Sequence, residues 1–204
     1  RNSYTTAACI ALAFEDYKLA KRLYGRAIET DLWNATLHVY RGVVHEKLNL
    51  PKEALYDYRH AIRLDSLNAM NYFYQGNALL TLKEYRKAIN SYTKSIDLCP
   101  VQLDAYENRA TSYRALEDFE MALADYNFII NRYPESAPTY YNRGVLFLIM
   151  NKYEEAKADF ERVKELDKND VLNIRDDIDN KLKEIRDIIN PDKQSVLNNN
   201  KNYD

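Results

Sequence analysis

Apolar and small residues recur along this chain with a period of 34 residues, five times in succession and without an insertion. Each period holds two stretches whose apolar positions are three and four residues apart, the spacing of one face of an α-helix. The second stretch carries an alanine in its first turn and an aromatic ring four residues later. The alanines are Ala20, Ala54, Ala88, Ala122 and Ala156, and the rings are Tyr24, Tyr58, Tyr92, Tyr126 and Phe160. Because equal units must present equal surfaces to their neighbours, the pattern predicts stacked helix pairs.

Residues 69–102 show how one unit is expected to pack. Gly76 belongs to the first helix and Ala88 to the second, and both are small where the two helices are predicted to cross. The ring of Tyr92 is expected to fill the space that these small residues leave. A small residue holds the place of Gly76 in each of the other units: Ala8, Gly42, Ala110 and Gly144.

The five units resemble the tetratricopeptide repeat (TPR) family over residues 1–170. The resemblance implies an all-α fold, a right-handed superhelical solenoid of antiparallel helix pairs, with repeats at 1–34, 35–68, 69–102, 103–136 and 137–170. The chain departs from the family at the turn between the two helices, where the family favours glycine. The residues at this turn are Glu15, Asn49, Lys83, Glu117 and Asn151. A left-handed turn at a charged residue costs on the order of 1 kcal/mol.

Residues 171–190 again carry apolar positions three and four apart, and we expect them to form a capping helix. Without it, the last repeat would expose its apolar face to water. The prediction is a single solenoid over 1–190, followed by a disordered, asparagine-rich tail at 191–204. The first repeat lacks such a cap, which leaves self-association through its apolar end open. Since the N-terminus has neither an initiator Met nor a signal-peptide pattern, we interpret the chain as a fragment of a longer protein.

Charge and composition argue against several classes of function. The formal net charge is −2, from 29 basic and 31 acidic residues, so the overall field favours neither nucleic acid nor an anionic membrane. Membrane insertion is not expected, because no apolar run reaches the roughly 18 residues of a membrane span. The two cysteines lie in different repeats and are expected to be reduced, as in an intracellular and cytoplasmic protein. A cilium or the cytoskeleton is the alternative location.

The sequence contains no glycine-rich phosphate loop, nucleophile elbow or paired-carboxylate motif. The three histidines are scattered, and His38 and His45 fall at packing positions. We therefore expect no enzymatic activity, no cofactor and no metal. An arginine of the first helix is followed sixteen residues later by an aspartate of the second in three repeats, and repeats without the arginine also lack the aspartate. This pattern predicts structural ion pairs between Arg41 and Asp57, Arg109 and Asp125, and Arg143 and Asp159.

In TPR arrays the first helices line a concave groove where partners usually dock, and the resemblance implies the same here. Helical spacing assigns the following residues to that groove: Tyr40, Val43, Phe73, Tyr74, Asn77, Glu107, Asn108, Arg114, Tyr141 and Asn142. Aromatic anchors beside amides suit the capture of a peptide or helix, and Asn108 and Asn142 hold equivalent places from which to grip its backbone. The alternative is that the aromatic rings only extend packing between helices.

The predicted function is a non-catalytic protein-interaction scaffold or adaptor. Two alternatives stay open: a rigid spacer in a large cytoskeletal or ciliary assembly, and the substrate-recognition arm of an enzyme whose catalytic domain lies outside this chain. A co-chaperone-like clamp for a terminal carboxylate is disfavoured. Asn77 and Asn108 match its two amides, but Phe73, Pro138 and Asn142 replace its cations. A bound carboxylate would be desolvated without a partner.

Overall fold

The computed structural model describes residues 3–190, and in that range it contains eleven α-helices and no β-strand. Ten helices follow the five repeats, two to each, and one more follows the last repeat. They are α1 (Ser3–Ala13), α2 (Tyr17–Thr30), α3 (Ala35–Lys47), α4 (Pro51–Leu64), α5 (Ala69–Thr81), α6 (Tyr85–Leu98), α7 (Leu103–Ala115), α8 (Phe119–Arg132), α9 (Ala137–Ile149), α10 (Tyr153–Leu166) and α11 (Arg175–Ile189).

The helix boundaries confirm the all-α fold class and the predicted period. From the second repeat onward, the first helices begin at residues 35, 69, 103 and 137, and the second helices of all five repeats begin at 17, 51, 85, 119 and 153. The described residues fall into two compact units, which are divided between residues 118 and 119. Helices α1 to α7 belong to the first unit and α8 to α11 to the second. Within each unit, helices that follow one another in sequence pack together.

The turn inside each repeat is left-handed, as the resemblance implied. Its central residues have positive φ angles between 57° and 60°: Glu15, Asn49, Lys83, Glu117 and Asn151. In the first repeat, Glu15 N–H donates to Leu12 O and Asp16 N–H donates to Ala11 O, and the other four repeats form the same two bonds. These bonds define a Schellman motif, which satisfies carbonyl groups at the helix end. They offset the strain of a non-glycine residue in this conformation.

Close packing between the two helices of a repeat accounts for the small residues. A Cβ atom at Gly76 would lie 2.5 Å from Cε1 of Tyr92, and one at Gly42 would lie 2.5 Å from Cε1 of Tyr58. Both tyrosines are fully buried, and so are the alanines in the first turn of the second helices: Ala20, Ala54, Ala88, Ala122 and Ala156. The rings thus occupy the space that glycine leaves, as the sequence predicts.

The capping helix is shorter than its sequence pattern. It begins at Arg175, and Val171, which the pattern places on its apolar face, is 81% exposed. The segment before it turns instead, because the carboxylate of Asp167 accepts hydrogen bonds from the Val171 and Leu172 N–H groups. Within the second unit, α11 packs Ile178 and Ile185 against the core around Phe160. The predicted disordered tail lies outside the described residues.

No helix in the described range combines the length and the apolar character needed to cross a bilayer.

Candidate functional site

The predicted groove residues are divided between the two units. Eight lie in the first unit, on α3, α5 and α7: Tyr40, Val43, Phe73, Tyr74, Asn77, Glu107, Asn108 and Arg114. Tyr141 and Asn142 lie on α9 in the second unit. The Tyr40 side chain is exposed, and the other nine are half-buried. Each of these side chains therefore has one part against the protein and another part in contact with solvent.

The aromatic residues of this set rest on buried rings of the second helices. Tyr40 stacks on Tyr24 with ring centroids 5.7 Å apart, and Tyr74 stacks on Tyr58 at 5.5 Å. Phe73 lies 5.8 Å from Tyr74 and tilts against Tyr92 at 6.1 Å. The rings thus extend helix packing, which was the alternative interpretation, and still present a solvent-facing part. The contacts with the buried rings fix the orientation of these aromatic side chains before a partner binds.

The two asparagines of the first unit are joined to each other. Asn77 Oδ1 accepts a hydrogen bond from the Tyr92 hydroxyl at 2.8 Å and another from Asn108 Nδ2 at 2.9 Å. The sequence pattern paired Asn108 with Asn142 as equivalent grips on a backbone. In the structure Asn108 is bonded to Asn77 of the preceding repeat, and Asn142 belongs to the other unit.

The position held by Asn77 decides whether a buried tyrosine hydroxyl has a partner. In the first repeat this position is Cys9, whose Sγ lies 3.4 Å from the hydroxyl of Tyr24. In the second repeat it is Val43, which has no polar atom, and the buried Tyr58 hydroxyl makes no hydrogen bond of normal geometry in the described part of the chain, although the Glu46 carboxylate lies near it. Burial and, after it, the nearby Glu46 carboxylate raise the pKa of the Tyr58 hydroxyl far above its usual range.

The ion-pair pattern is built around a buried carboxylate in the second repeat. Arg41 donates from Nε to Asp57 Oδ2 at 3.0 Å and from Nη2 to Oδ1 at 2.6 Å. Nδ1 of His38 lies 3.5 Å from Oδ1, and Nδ1 of His45 lies 3.0 Å from Oδ2 without hydrogen-bond geometry. Burial alone would raise the pKa of Asp57, but these three contacts outweigh it and hold the pKa well below its usual value.

The sequence pattern predicts packing positions for His38 and His45 and does not indicate their contacts with Asp57. The spacing of His38, Arg41 and His45 contains the signal, since residues three and seven apart share one face of a helix. Within residues 3–190 no group of three histidine, cysteine, aspartate or glutamate side chains is placed to hold a metal ion.

At the equivalent positions the fifth repeat holds the same kind of ion pair, and the third repeat holds a neutral pair. Arg143 donates from Nε and Nη2 to Asp159 at 2.8 and 2.7 Å. In the third repeat the pair is neutral, and the Ser91 hydroxyl donates to Gln75 Oε1 at 2.8 Å. The fourth repeat places Arg109 and Asp125 in different units. Arg109 Nη1 donates to Thr93 Oγ1 at 3.0 Å.

In the second unit, the capping helix covers part of the predicted groove. The Tyr141 hydroxyl donates to Asp177 Oδ2 at 2.7 Å, and Lys181 Nζ donates to Asp177 Oδ1 at 3.0 Å. Burial raises the pKa of Asp177, but the bonds from Tyr141 and Lys181 lower it by more, so the carboxylate stays charged. Tyr141 therefore links α9 to α11, a role that its groove assignment did not anticipate.

Comparison with known proteins identifies the family. Tetratricopeptide repeat models match residues 5–69, 71–102, 104–136 and 137–170. The chain belongs to the tetratricopeptide repeat family, as its sequence pattern predicts. No curated protein matches the sequence of this chain.

Solved structures of TPR proteins are similar to this chain in fold. MamA from Desulfovibrio magneticus RS-1 is 17% identical, with a TM-score of 0.78 over 81% of this chain and 94% of that one. YrrB is 20% identical, with a TM-score of 0.69 over 80% and 84% of the two chains. TTC0263 from Thermus thermophilus is 16% identical, with a TM-score of 0.68 over 88% and 97%. These likenesses show the fold, an all-α helical solenoid, and together with the family they support a protein-interaction scaffold.

Proposed function

We propose that this chain is a non-catalytic adaptor that binds an extended peptide segment of a protein partner. The binding surface, termed the first-helix surface, consists of Tyr40, Phe73, Tyr74, Asn77 and Asn108. The observation that carries the proposal is the bonded pair of asparagines beside stacked aromatic rings. Val43, Glu107, Arg114, Tyr141 and Asn142 stay predicted contacts of the same partner.

The asparagine pair presents the groups that a peptide backbone requires. Both lone pairs of Asn77 Oδ1 are used by Tyr92 and Asn108, which leaves its Nδ2 as a donor and Asn108 Oδ1 as an acceptor. Neither of these two atoms has a hydrogen-bond partner within residues 3–190. One donor beside one acceptor complements the C=O and N–H groups of an extended peptide. A helix satisfies its own backbone groups, so it would gain less from this pair.

Preorganisation favours binding at this surface. Asn77 is tied to a buried hydroxyl, and Tyr74 is stacked on a buried ring. Fewer side-chain rotamers are lost when a partner binds to groups that are already fixed. YrrB, which has the same fold, is described as a TPR protein with an unusual peptide-binding site. That description supports peptide binding as the function to test first.

The test selects peptides of twelve residues from a random library displayed on phage, and measures their affinity for the full chain by calorimetry. Asn108→Ala should weaken binding by about tenfold, because the bound peptide N–H loses its acceptor. Asn90→Ala is the matched control, since Asn90 is exposed on α6, away from this surface. The proposal fails if both changes weaken binding equally, or if no selected peptide depends on Asn108. In that case the rigid spacer becomes the favoured function.

Self-association is proposed at α1. Ile10 is 54% exposed and Phe14 is 83% exposed. The residues at the position of Ile10 in the other four repeats are fully buried: Val44, Ala78, Ser112 and Leu146. If α1 pairs with a second copy of the chain, Ile10→Lys should shift the sedimentation coefficient from that of a dimer to that of a monomer. A wild-type chain that sediments as a monomer at 100 μM (roughly the upper end of a weak dimer's range) would refute it.

A further inference from the structure

A pocket between α2 and α3 in the first unit is lined mainly by cations. It is a depression of about 410 Å³ that is open to solvent, and it is lined by Lys18, Lys21, Arg22, Gly25, Arg26, Glu29, Arg41 and His45. The α2 residues are three and four apart and therefore share one face of that helix. Glu29 is the acidic residue of the lining, and its Oε2 accepts from Arg26 Nη1 at 3.1 Å. The pocket shares no residue with the first-helix surface.

Helix α2 carries more cations at these positions than the other second helices do. Five lysine or arginine side chains line the pocket, four of them on α2, although the whole chain has a net charge of −2. At the positions equivalent to residues 18, 21, 22, 25 and 26, α4, α6 and α10 carry two lysine or arginine residues each. The positions on α8 carry none and hold Glu120, Leu123, Ala124, Asn127 and Phe128. An anionic ligand would therefore be attracted to this part of the surface in preference to the rest.

Gly25 leaves one of these cations without an internal acceptor. In the fifth repeat, Nη1 of Arg143 donates to Oδ1 of Asn127, sixteen residues earlier, at 2.6 Å. Gly25 stands sixteen residues before Arg41 and has no side chain. The hydrogen bonds of Arg41 leave from Nε and Nη2 to Asp57. Its Nη1 thus has no acceptor in the described part of the chain, and a Cβ at Gly25 would meet no atom within 4 Å.

We propose that this pocket binds an acidic segment of a protein partner. One carboxylate of the segment accepts a hydrogen bond from Arg41 Nη1, as Asn127 Oδ1 does from Arg143 Nη1 in the second unit. Guanidinium groups bind carboxylates strongly and directionally. Lys18 and Arg26 are eight residues apart on α2, which corresponds to about 12 Å. An extended chain covers that distance with about four residues. Cations spread over this length suit a run of acidic side chains better than a compact anion. The inference rests on the proposed function only in that the partner is a protein.

The probe is a fluorescein-labelled peptide of six glutamates, and its affinity for the full chain is measured by fluorescence anisotropy. Lys21→Glu should weaken binding about tenfold, because an attraction becomes a repulsion of similar size. Lys157→Glu is the matched control, since Lys157 holds the same position on α10. Gly25→Asn should weaken binding about fivefold by supplying Arg41 with an internal acceptor. Asparagine is a better helix former than glycine, so this variant should melt no lower than the wild type.

Each outcome decides the proposal. It is overturned if Lys157→Glu weakens binding as much as Lys21→Glu, because the attraction is then unspecific. Unchanged affinity in Gly25→Asn overturns the role of Arg41. If tripolyphosphate binds and the glutamate peptide does not, the ligand is a phosphate compound and the proposal of an acidic protein segment is wrong. Asn108→Ala should leave the affinity for the glutamate peptide unchanged, so that failure here is distinguishable from failure of the first-helix surface.

Discussion

Removing one hydroxyl group from each of two equivalent tyrosines should change the stability of this chain in opposite directions. Tyr58 and Tyr92 hold the same position in the second and third repeats, and both are fully buried. The Tyr92 hydroxyl donates to Asn77 at 2.8 Å. In the second repeat Val43 holds the place of Asn77, and the Tyr58 hydroxyl, with the Glu46 carboxylate nearby, makes no hydrogen bond of normal geometry in the described range. The substitutions Tyr58→Phe and Tyr92→Phe therefore remove the same atom from two different environments.

The expected magnitudes follow from the hydrogen bonds. Tyr92→Phe loses one buried bond, worth about 1 kcal/mol, and Asn77 keeps its second donor, Asn108. Tyr58→Phe removes a buried hydroxyl that makes no hydrogen bond of normal geometry, so most of its desolvation penalty of roughly 1–3 kcal/mol is uncompensated. It should therefore raise the free energy of unfolding by about 1 kcal/mol. The two variants should differ by about 2 kcal/mol.

Urea unfolding followed by circular dichroism at 25 °C measures both changes, provided that the slope with denaturant stays constant. Val43→Asn supplies the missing partner and should itself stabilise the chain by about 1 kcal/mol. In that background Tyr58→Phe should become destabilising, as a double-mutant cycle would show. If Tyr58→Phe and Tyr92→Phe destabilise the wild type equally, the reasoning about the unpaired hydroxyl is wrong.

Three further predictions concern charge, backbone and the cap. Asp57→Ala should cost about 3 kcal/mol in urea unfolding, because it leaves the partly buried guanidinium of Arg41 uncompensated. Contacts that outweigh burial hold the pKa of Asp57 low, so its stabilisation is complete above about pH 4 and is lost as the pH falls further; a pH series on Asp57→Asn should lack this loss. Gly25→Ala should stabilise α2 by up to about 1 kcal/mol, and a lower melting temperature would contradict the open space there. Tyr141→Phe should speed hydrogen exchange in α11, since it loses the bond to Asp177, and unchanged exchange would show that the bond contributes nothing.

The sequence alone determined the repeat, its period and the position of its turns. These follow from interactions between residues close in the chain or in the same place of successive repeats. The pairing of Gly76 with Tyr92 is visible in the sequence because volumes must complement each other where two helices cross. The turn at Glu15 is likewise predictable, since a fixed register leaves one place for a left-handed residue.

Tertiary structure decided which of these side chains meet across helices. The sequence pattern did not indicate that Asn108 bonds to Asn77, or that both His38 and His45 lie against Asp57, because such contacts depend on rotamers and on the approach of neighbouring helices. The cationic face of α2 resembles an ordinary solvated face in sequence. It forms a pocket only because α3 adds Arg41 and His45 to the lining that α2 provides, and the sequence alone does not show which helix faces meet.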